Sequence, residues 1–431
     1  MPLIVLKTKE STHLDQPTFI PTGTLDITSE GTYNITNYEF IKVLIEKNEL
    51  EKIACSNETT WVLTKSGTLW GCGSNSSGQQ GSGGSSSVFH QRMTGVKDFA
   101  CSQYTTWAIK NDDTLWGCGN NTYGQQGSGD TINVKAFTQR LTNVKQVACD
   151  TQVTWALKED GTLWGCGNNT YGQQGSGNTT NVLTFTQRMT NVKDVACSNE
   201  TTWAVKTNGT LWGCGYNDRG QQGSGSTADV KTFTQRMNNV EDFSCSNVTT
   251  WALKNDGTLW GCGHGGSGQQ GSGATTSVLT FTQRMTDIKD VVCYYNTTWA
   301  LKSDGTLWGC GENNTGQQGD GGTSNDRIFI RRLTDVKDFS CSQYTTWAIK
   351  TDGTLWGCGR NNGGQQGSGN TTNVLTFTQR MTGVKDFACS DDTTWALKND
   401  NTLWGCGWNT RGQQGSGNYA NVTTFTERTL S

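Results

Sequence analysis

The stretch Gly161-Thr162-Leu163-Trp164-Gly165-Cys166-Gly167-Asn168-Asn169-Thr170-Tyr171-Gly172-Gln173-Gln174-Gly175-Ser176-Gly177 decides how this chain is read, because its central tetrapeptide recurs eight times. Trp-Gly-Cys-Gly begins at Trp70, Trp116, Trp164, Trp212, Trp260, Trp308, Trp356 and Trp404, first after 46 residues and then every 48. A fixed period in this range marks a solenoid, a propeller or an array of small units. Working outward from Trp212, residues 193–198 and 201–206 read as short strands. Asn208-Gly209 is a hairpin turn signal, since both residues tolerate positive φ. Residues 210–215 form a third strand, with Leu211 on one face and Trp212 and Cys214 on the other. A glycine-rich loop leads to a fourth strand over 232–237. The turn glycine recurs at Gly67, Gly161, Gly257, Gly305 and Gly353, and Asp113 and Asn401 replace it, both tolerable at positive φ. No segment has a helical hydrophobic period.

Four short antiparallel strands per repeat describe a propeller blade. One such sheet cannot bury both faces, whereas blades stacked around an axis can. The expected fold is therefore all-β: a β-propeller of eight four-stranded blades over residues 51–431, with seven blades plus an accessory unit as the alternative. Residues 1–50 lie outside the repeat as a small β-rich segment. Composition agrees. Hydrophobic residues are only 32%, and 55 of 431 residues are glycine, which suits short strands and tight turns rather than helices. The three prolines, Pro2, Pro17 and Pro21, all precede the repeats, whose strands need every N–H donor. Apolar mass comes from 17 tryptophans, two per repeat plus Trp408; each removes roughly 200 Å² from water when buried. The sixteen cysteines also fall two per repeat, 17 residues apart as in Cys55 and Cys72. That spacing lacks the close pairs of zinc sites, and only three histidines are present, so reduced core thiols fit better than disulfides or a metal.

The segment 161–177 resembles the signature of the regulator-of-chromosome-condensation repeat. So does the preceding Ala-Cys-Ser-x-x-Thr-Thr-Trp-Ala-Leu-Lys pattern, with Trp where eukaryotic repeats often carry His. The resemblance covers residues 51–431 and implies a β-propeller, usually of seven blades, from which eight units depart. It does not fix function, because that family includes an exchange factor, plant light sensors and a bacterial β-lactamase inhibitor. A second resemblance lies in the first fifty residues. Ile27-Thr28, Gly31-Thr32-Tyr33 and Ile35-Thr36-x-Tyr38 are similar to a short motif of virion and tail proteins of phages that infect Gram-positive bacteria. It reads as two strands around a turn at Ser29-Glu30-Gly31. A plain hairpin capping the propeller is the alternative to an attachment module.

Catalysis finds no support in the residues. His13, His90 and His264 sit in unrelated contexts, and no serine, histidine and acid recur together. The glycine-rich loop is followed by no helix and contains no Gly-Lys-Ser/Thr, so it is not read as a phosphate cradle, and no cofactor is expected. Its glutamine pair, such as Gln173-Gln174, is expected to bond loop backbone within and between blades. Net charge is −3 without a basic stripe, which gives no reason to expect nucleic acid. No stretch approaches 18 apolar residues, so no membrane insertion is expected, and the apolar run after Met1 is too short for a signal peptide. Two cationic rings recur: an arginine at Arg92, Arg140, Arg188, Arg236, Arg284, Arg332, Arg380 and Arg428, and a lysine ending each second strand, as at Lys206. Pairing with acids on the next blade, such as Asp194 or Asp290, is favoured for both over binding of an anionic polymer.

The better functional signal is variation inside the chain. One position after Gly-Cys-Gly reads Ser74, Asn120, Asn168, Tyr216, His264, Glu312, Arg360 and Trp408. Three residues later stand Tyr123, Tyr171, Arg219 and Arg411, among others, and the loop before Thr-Thr-Trp offers Tyr104, Tyr295 and Tyr344. Tyrosine, tryptophan and arginine anchor interfaces. If these loops share a rim they form a binding face; the alternative is drift at exposed tips. Unit six diverges most, with Asp320, Asp326, Arg327, Ile328 and Arg331, and is a candidate contact for another protein. The expected function is a non-enzymatic phage or phage-tail-like virion protein. It would assemble in the bacterial cytoplasm, attach to other virion proteins through residues 1–50, and display the propeller to a host-surface glycan or protein. The alternative is a soluble bacterial inhibitor or adhesin using the same rim.

Overall fold

The computed structural model describes residues 26–27, 33–34, 49–198 and 200–430. The chain divides into two units, Met1–Glu49 and Leu50–Ser431. In the first, Asp26–Ile27 pairs antiparallel with Tyr33–Asn34, on either side of the turn read from the sequence. The other residues before 49 lie outside the described residues, and with them most of the segment expected to serve attachment. The second unit is eight four-stranded antiparallel sheets, each a meander in the order first, second, third, fourth strand. Eight blades, rather than seven and an accessory unit, are what the repeats build.

Blade 4 shows why. Its strands are Val192–Cys197, Thr201–Lys206, Leu211–Gly215 and Val230–Met237. Between the second and third, Gly209 takes φ 75°; at the equivalent turns Asp113 and Asn401 take 63° and 66°, as the turn chemistry requires. Burial is deepest in the second and third strands and lower in the innermost and outermost. The second strand is buried along all but its last residue, while the fourth is half exposed. Trp203 is fully buried, and the same holds for its seven counterparts, whereas Trp212 and the other Trp-Gly-Cys-Gly tryptophans are only half buried. Eight of the seventeen tryptophans are therefore fully buried.

Adjacent blades share one contact set. Trp203, Val205 and Leu211 of blade 4 meet Val240, Phe243 and Ala252 of blade 5. Each buried tryptophan also meets, edge to face, the phenylalanine in the next blade's outer strand: Trp203 with Phe281 at 5.8 Å, and eight such pairs between 5.6 and 6.2 Å around the ring. Each pair contributes about 0.5–1.5 kcal/mol beyond the area it buries. Gly213 is glycine because a methyl there would come within 2.6 Å of both the Trp203 ring and Gln222. The glutamine pair divides its work. Gln222 donates to the Cys214 carbonyl of its own blade, while Gln221 donates to the Asn247 carbonyl of the next. The Gln173 carbonyl in turn accepts from the Cys214 thiol and the Thr202 hydroxyl of blade 4.

Closure needs no exchanged strand. Blade 8, Val384–Arg428, meets blade 1, Leu50–Met93, through Trp395–Phe89 at 5.7 Å and through Cys72 and Thr60 donating to the Gln413 carbonyl. All sixteen cysteines are free thiols. One set, such as Cys214, lies buried between blades; the other, such as Cys55, ends the innermost strands around the axis.

Candidate binding face and axial mouth

The meander order sends both variable loops to one end of every blade. The loop joining first and second strands and the loop joining third and fourth lie side by side, and a backbone bond ties them together. Tyr216 N–H donates to Glu200 at 2.9 Å, His264 to Val248 at 2.8 Å and Trp408 to Asp392 at 2.9 Å, with the same bond in the other five blades. The rim candidates therefore share one face. Tyr123, Arg219 and Arg411 are exposed on it; Tyr104, Tyr171, Tyr216, His264, Glu312, Tyr344, Arg360 and Trp408 are partly buried.

Neighbouring tips meet across the blade boundary. Tyr171 packs on Tyr216 with centroids 4.6 Å apart, and Tyr216 also bonds Asp218, which with burial pushes its phenol up to about 12. Arg360 lies over Tyr344 at 5.0 Å and 3.9 Å from Asp392, whose carboxyl is raised by burial despite that cation. Trp408 takes the same boundary position one blade on, against Gly363, where any side chain would collide with the indole. His264 is held by Gln269, which also bonds Asn296, and Asn296 bonds Glu312. Trp408 is thus seated, whereas Tyr123 and Arg411 are exposed to meet a ligand and Arg219, also exposed, lies 3.4 Å from Asp218.

The face has a centre that sequence reasoning only grazed. The axial channel opens onto it through a mouth of about 470 Å³, lined by the inner cysteines and by Asn57, Gln103, Asp150, Asn247, Tyr294, Tyr295, Gln343 and Asp391. In blade 1, Ser56 follows the inner cysteine and bonds the hydroxyl and backbone N–H of Thr59, closing the turn. In blade 6, Tyr294 stands there and cannot do this. The strand instead runs on to a Tyr294–Thr297 pair, and Tyr295 is forced to φ 48°. A tyrosine at positive φ costs about 1 kcal/mol or more. The two rings, 5.9 Å apart, are 41% and 39% exposed. Burial, with Asp391 and Asp150 nearby, raises the Tyr294 phenol well above its ordinary value. The available signal was the break in the Cys-Ser pattern at Cys293-Tyr294-Tyr295. Burial also holds the inner thiols protonated, Cys55 and Cys149 being pushed up to about 12. Among the described residues no group of three or more His, Cys, Asp or Glu is placed to hold a metal.

A family model for the regulator of chromosome condensation (RCC1) repeat matches residues 51–79, 96–125, 144–173, 192–221, 288–317 and 384–413, and a second model of that repeat matches 160–205. Six of the eight blades, the first to fourth, the sixth and the eighth, thus match the RCC1 repeat. Human WBSCR16 is similar over 74% of this chain and 92% of its own, at 20% identity and TM-score 0.60. Yeast RCC1 (Prp20), solved bound to Kap60, is similar over 73% and 83%, at 17% identity and TM-score 0.59. At these identities the likeness shows the RCC1-type fold alone. Comparison with curated proteins finds no match.

The lysines depart from expectation. Lys206 does not pair with an acid on the next blade but lies over the Trp212 ring of its own, 4.7 Å from the centroid; seven blades, this one included, show the contact at 4.5–5.6 Å. The hairpin register explains it. Ala204 is opposite Trp212, which leaves Lys206 diagonal to the indole on the same face. The divergent acids of unit six are also accounted for internally: Asp320 and Asp326 both engage Arg332.

Proposed function

We propose that the chain is a non-catalytic binding protein of a phage or phage-like particle, presenting its loop face and axial mouth to a host-surface glycan or protein, and attached through residues 1–50. One observation carries the binding part. Side-chain diversity in aromatic and charged residues is greatest on the loop face, where a backbone bond holds each tip whatever its side chain, while the buried scaffold repeats almost without change. Tyr294 and Tyr295 add an exposed aromatic pair at a mouth rich in amides and carboxylates, the composition that stacks on and hydrogen-bonds sugar rings or peptide. The axial thiols are protonated at neutral pH and so poor nucleophiles, which favours binding over catalysis.

The attachment part rests on the motif at Ile27–Tyr38. Its test is mass spectrometry of purified particles from the source, with and without deletion of residues 1–50. Full-length chain in particles and truncated chain lost from them is the expected result. Absence of the full-length chain overturns the virion reading. The ring closing within Leu50–Arg428 favours, as a second reading, a free bacterial inhibitor or adhesin that uses the same face.

A further inference from the structure

The end of the ring opposite the loop face carries two cations that lack their expected acids. Among the described residues, Arg332 is the only one of the eight ring arginines in an ion pair. Between blades 3 and 4, Arg188 and Lys206 line one groove of about 360 Å³, walled by Trp212 and Phe233. Between blades 5 and 6, Arg284 and Lys302 line its equivalent, about 690 Å³, walled by Trp308 and Phe329. No carboxylate lines either groove. Both arginines are half buried, and burial lowers their proton affinity. Their Nε atoms are buried without a partner, whereas Arg428 donates its Nε to the Gln414 carbonyl at 2.8 Å. A guanidinium stripped of part of its water and given no counter-charge is favourably placed for an anion.

Blade 6 supplies the internal control. There Asp320 stands where the other blades have Ser176, Ser224, Ser272 and Ser368, and with Asp326 it engages Arg332, whose side chain is only 9% exposed. The fold accepts a carboxylate at this position, 3.8 Å from the Arg332 terminal nitrogen and beside the closer Asp326, which gives the guanidinium a counter-charge although its Nε still has no partner.

We propose that the interblade grooves whose arginine is unpaired bind phosphate groups, singly or in series along a linear polyanion, with the guanidinium and the tryptophan-stacked ammonium as paired donors. This surface is separate from the loop face and does not depend on the function proposed for it.

The test is calorimetric titration of the full chain at low salt with inorganic phosphate and with sodium polyphosphate. Polyphosphate is expected to bind, and to bind more weakly as added salt screens the grooves. Binding of inorganic phosphate as well assigns the single oxyanion; binding of polyphosphate alone assigns the chain form. The variant Ser176→Asp/Ser224→Asp/Ser272→Asp/Ser368→Asp places an acid, at the position Asp320 holds in blade 6, in four blades, the two that carry Arg188 and Arg284 among them. It should bind polyphosphate at least about tenfold more weakly, because a hydrogen bond to a charged group contributes on the order of one such step. The matching four Ser→Asn changes should leave binding intact. Lys206→Gln/Lys302→Gln, which leaves the interblade arginines in place, should also weaken it and decides the matter if the aspartate variant does not fold. No binding by the unmodified chain, or equal binding by the aspartate and asparagine variants, overturns the proposal.

Discussion

The blade interface and the loop face are built from the same repeat, yet one barely varies and the other varies at almost every turn. At the interface each side chain must satisfy two neighbours at once. Trp203 fills its own sheet, touches Phe281 of the next and excludes any side chain from Gly213. On the loop face the tips are held by backbone, Tyr216 to Glu200 and His264 to Val248, so the side chains are released from structural duty. Diversity in a repeat protein thus marks where main chain has taken over the work of side chain.

The largest expected effect tests the rigid half. Trp203→Ala should cost about 3–5 kcal/mol in urea unfolding, the range for deleting a buried large aromatic. A loss below 1 kcal/mol would break the contrast between the two regions. Tyr295→Gly tests the other half with the opposite sign. Relieving φ 48° should stabilise the ring by about 1 kcal/mol while abolishing capture of host envelope material, measured by sedimentation of labelled protein with cells. Stability gained with capture intact would remove the mouth from the site.

Two smaller effects sharpen the comparison. Asp290 lies on an inner strand; burial, then Asp242 and Asp338, raise its carboxyl above the ordinary value, while the Val291 N–H and Lys289 pull the other way. The folded chain therefore holds this proton more tightly than the unfolded chain. The stability it contributes is complete below the ordinary aspartate value of about 3.9 and is lost as pH rises through the raised one. Asp290→Asn should raise the melting temperature at pH 7 by about a degree and give no gain near pH 3.5. Tyr216→Phe should change stability by less than about 0.5 kcal/mol. It should also delete from an absorbance titration the phenol that Asp218 and burial push up to about 12.

Blade count, turn positions and the shared rim were legible because each follows from local chemistry that repeats: a Gly, Asp or Asn at positive φ, an alternating strand, a loop of fixed place in the meander. The Lys206–Trp212 stack was missed because opposite charges were sought across blades, when the hairpin register already set the lysine beside its own indole. The mouth was missed for a different reason. Tyr294 and Tyr295 sit one and two residues after Cys293, and nothing local reveals that eight such points converge on one axis. Asp320 and Asp326 read as part of a candidate contact for another protein, and both engage Arg332, a contact that needs the loop's return path.

Each blade comes from one unbroken segment, and the seam between blades 8 and 1 repeats the contacts of the other interfaces. Eight blades in an open row would share seven interfaces; bending the row into a ring adds an eighth without ordering any further chain. When one interface parts, the other seven hold its two sides face to face at a high effective concentration, so re-closure is intramolecular. The ring tolerates a local fault as a chain of beads cannot, and whole repeats become the unit in which such a protein can lengthen or shorten.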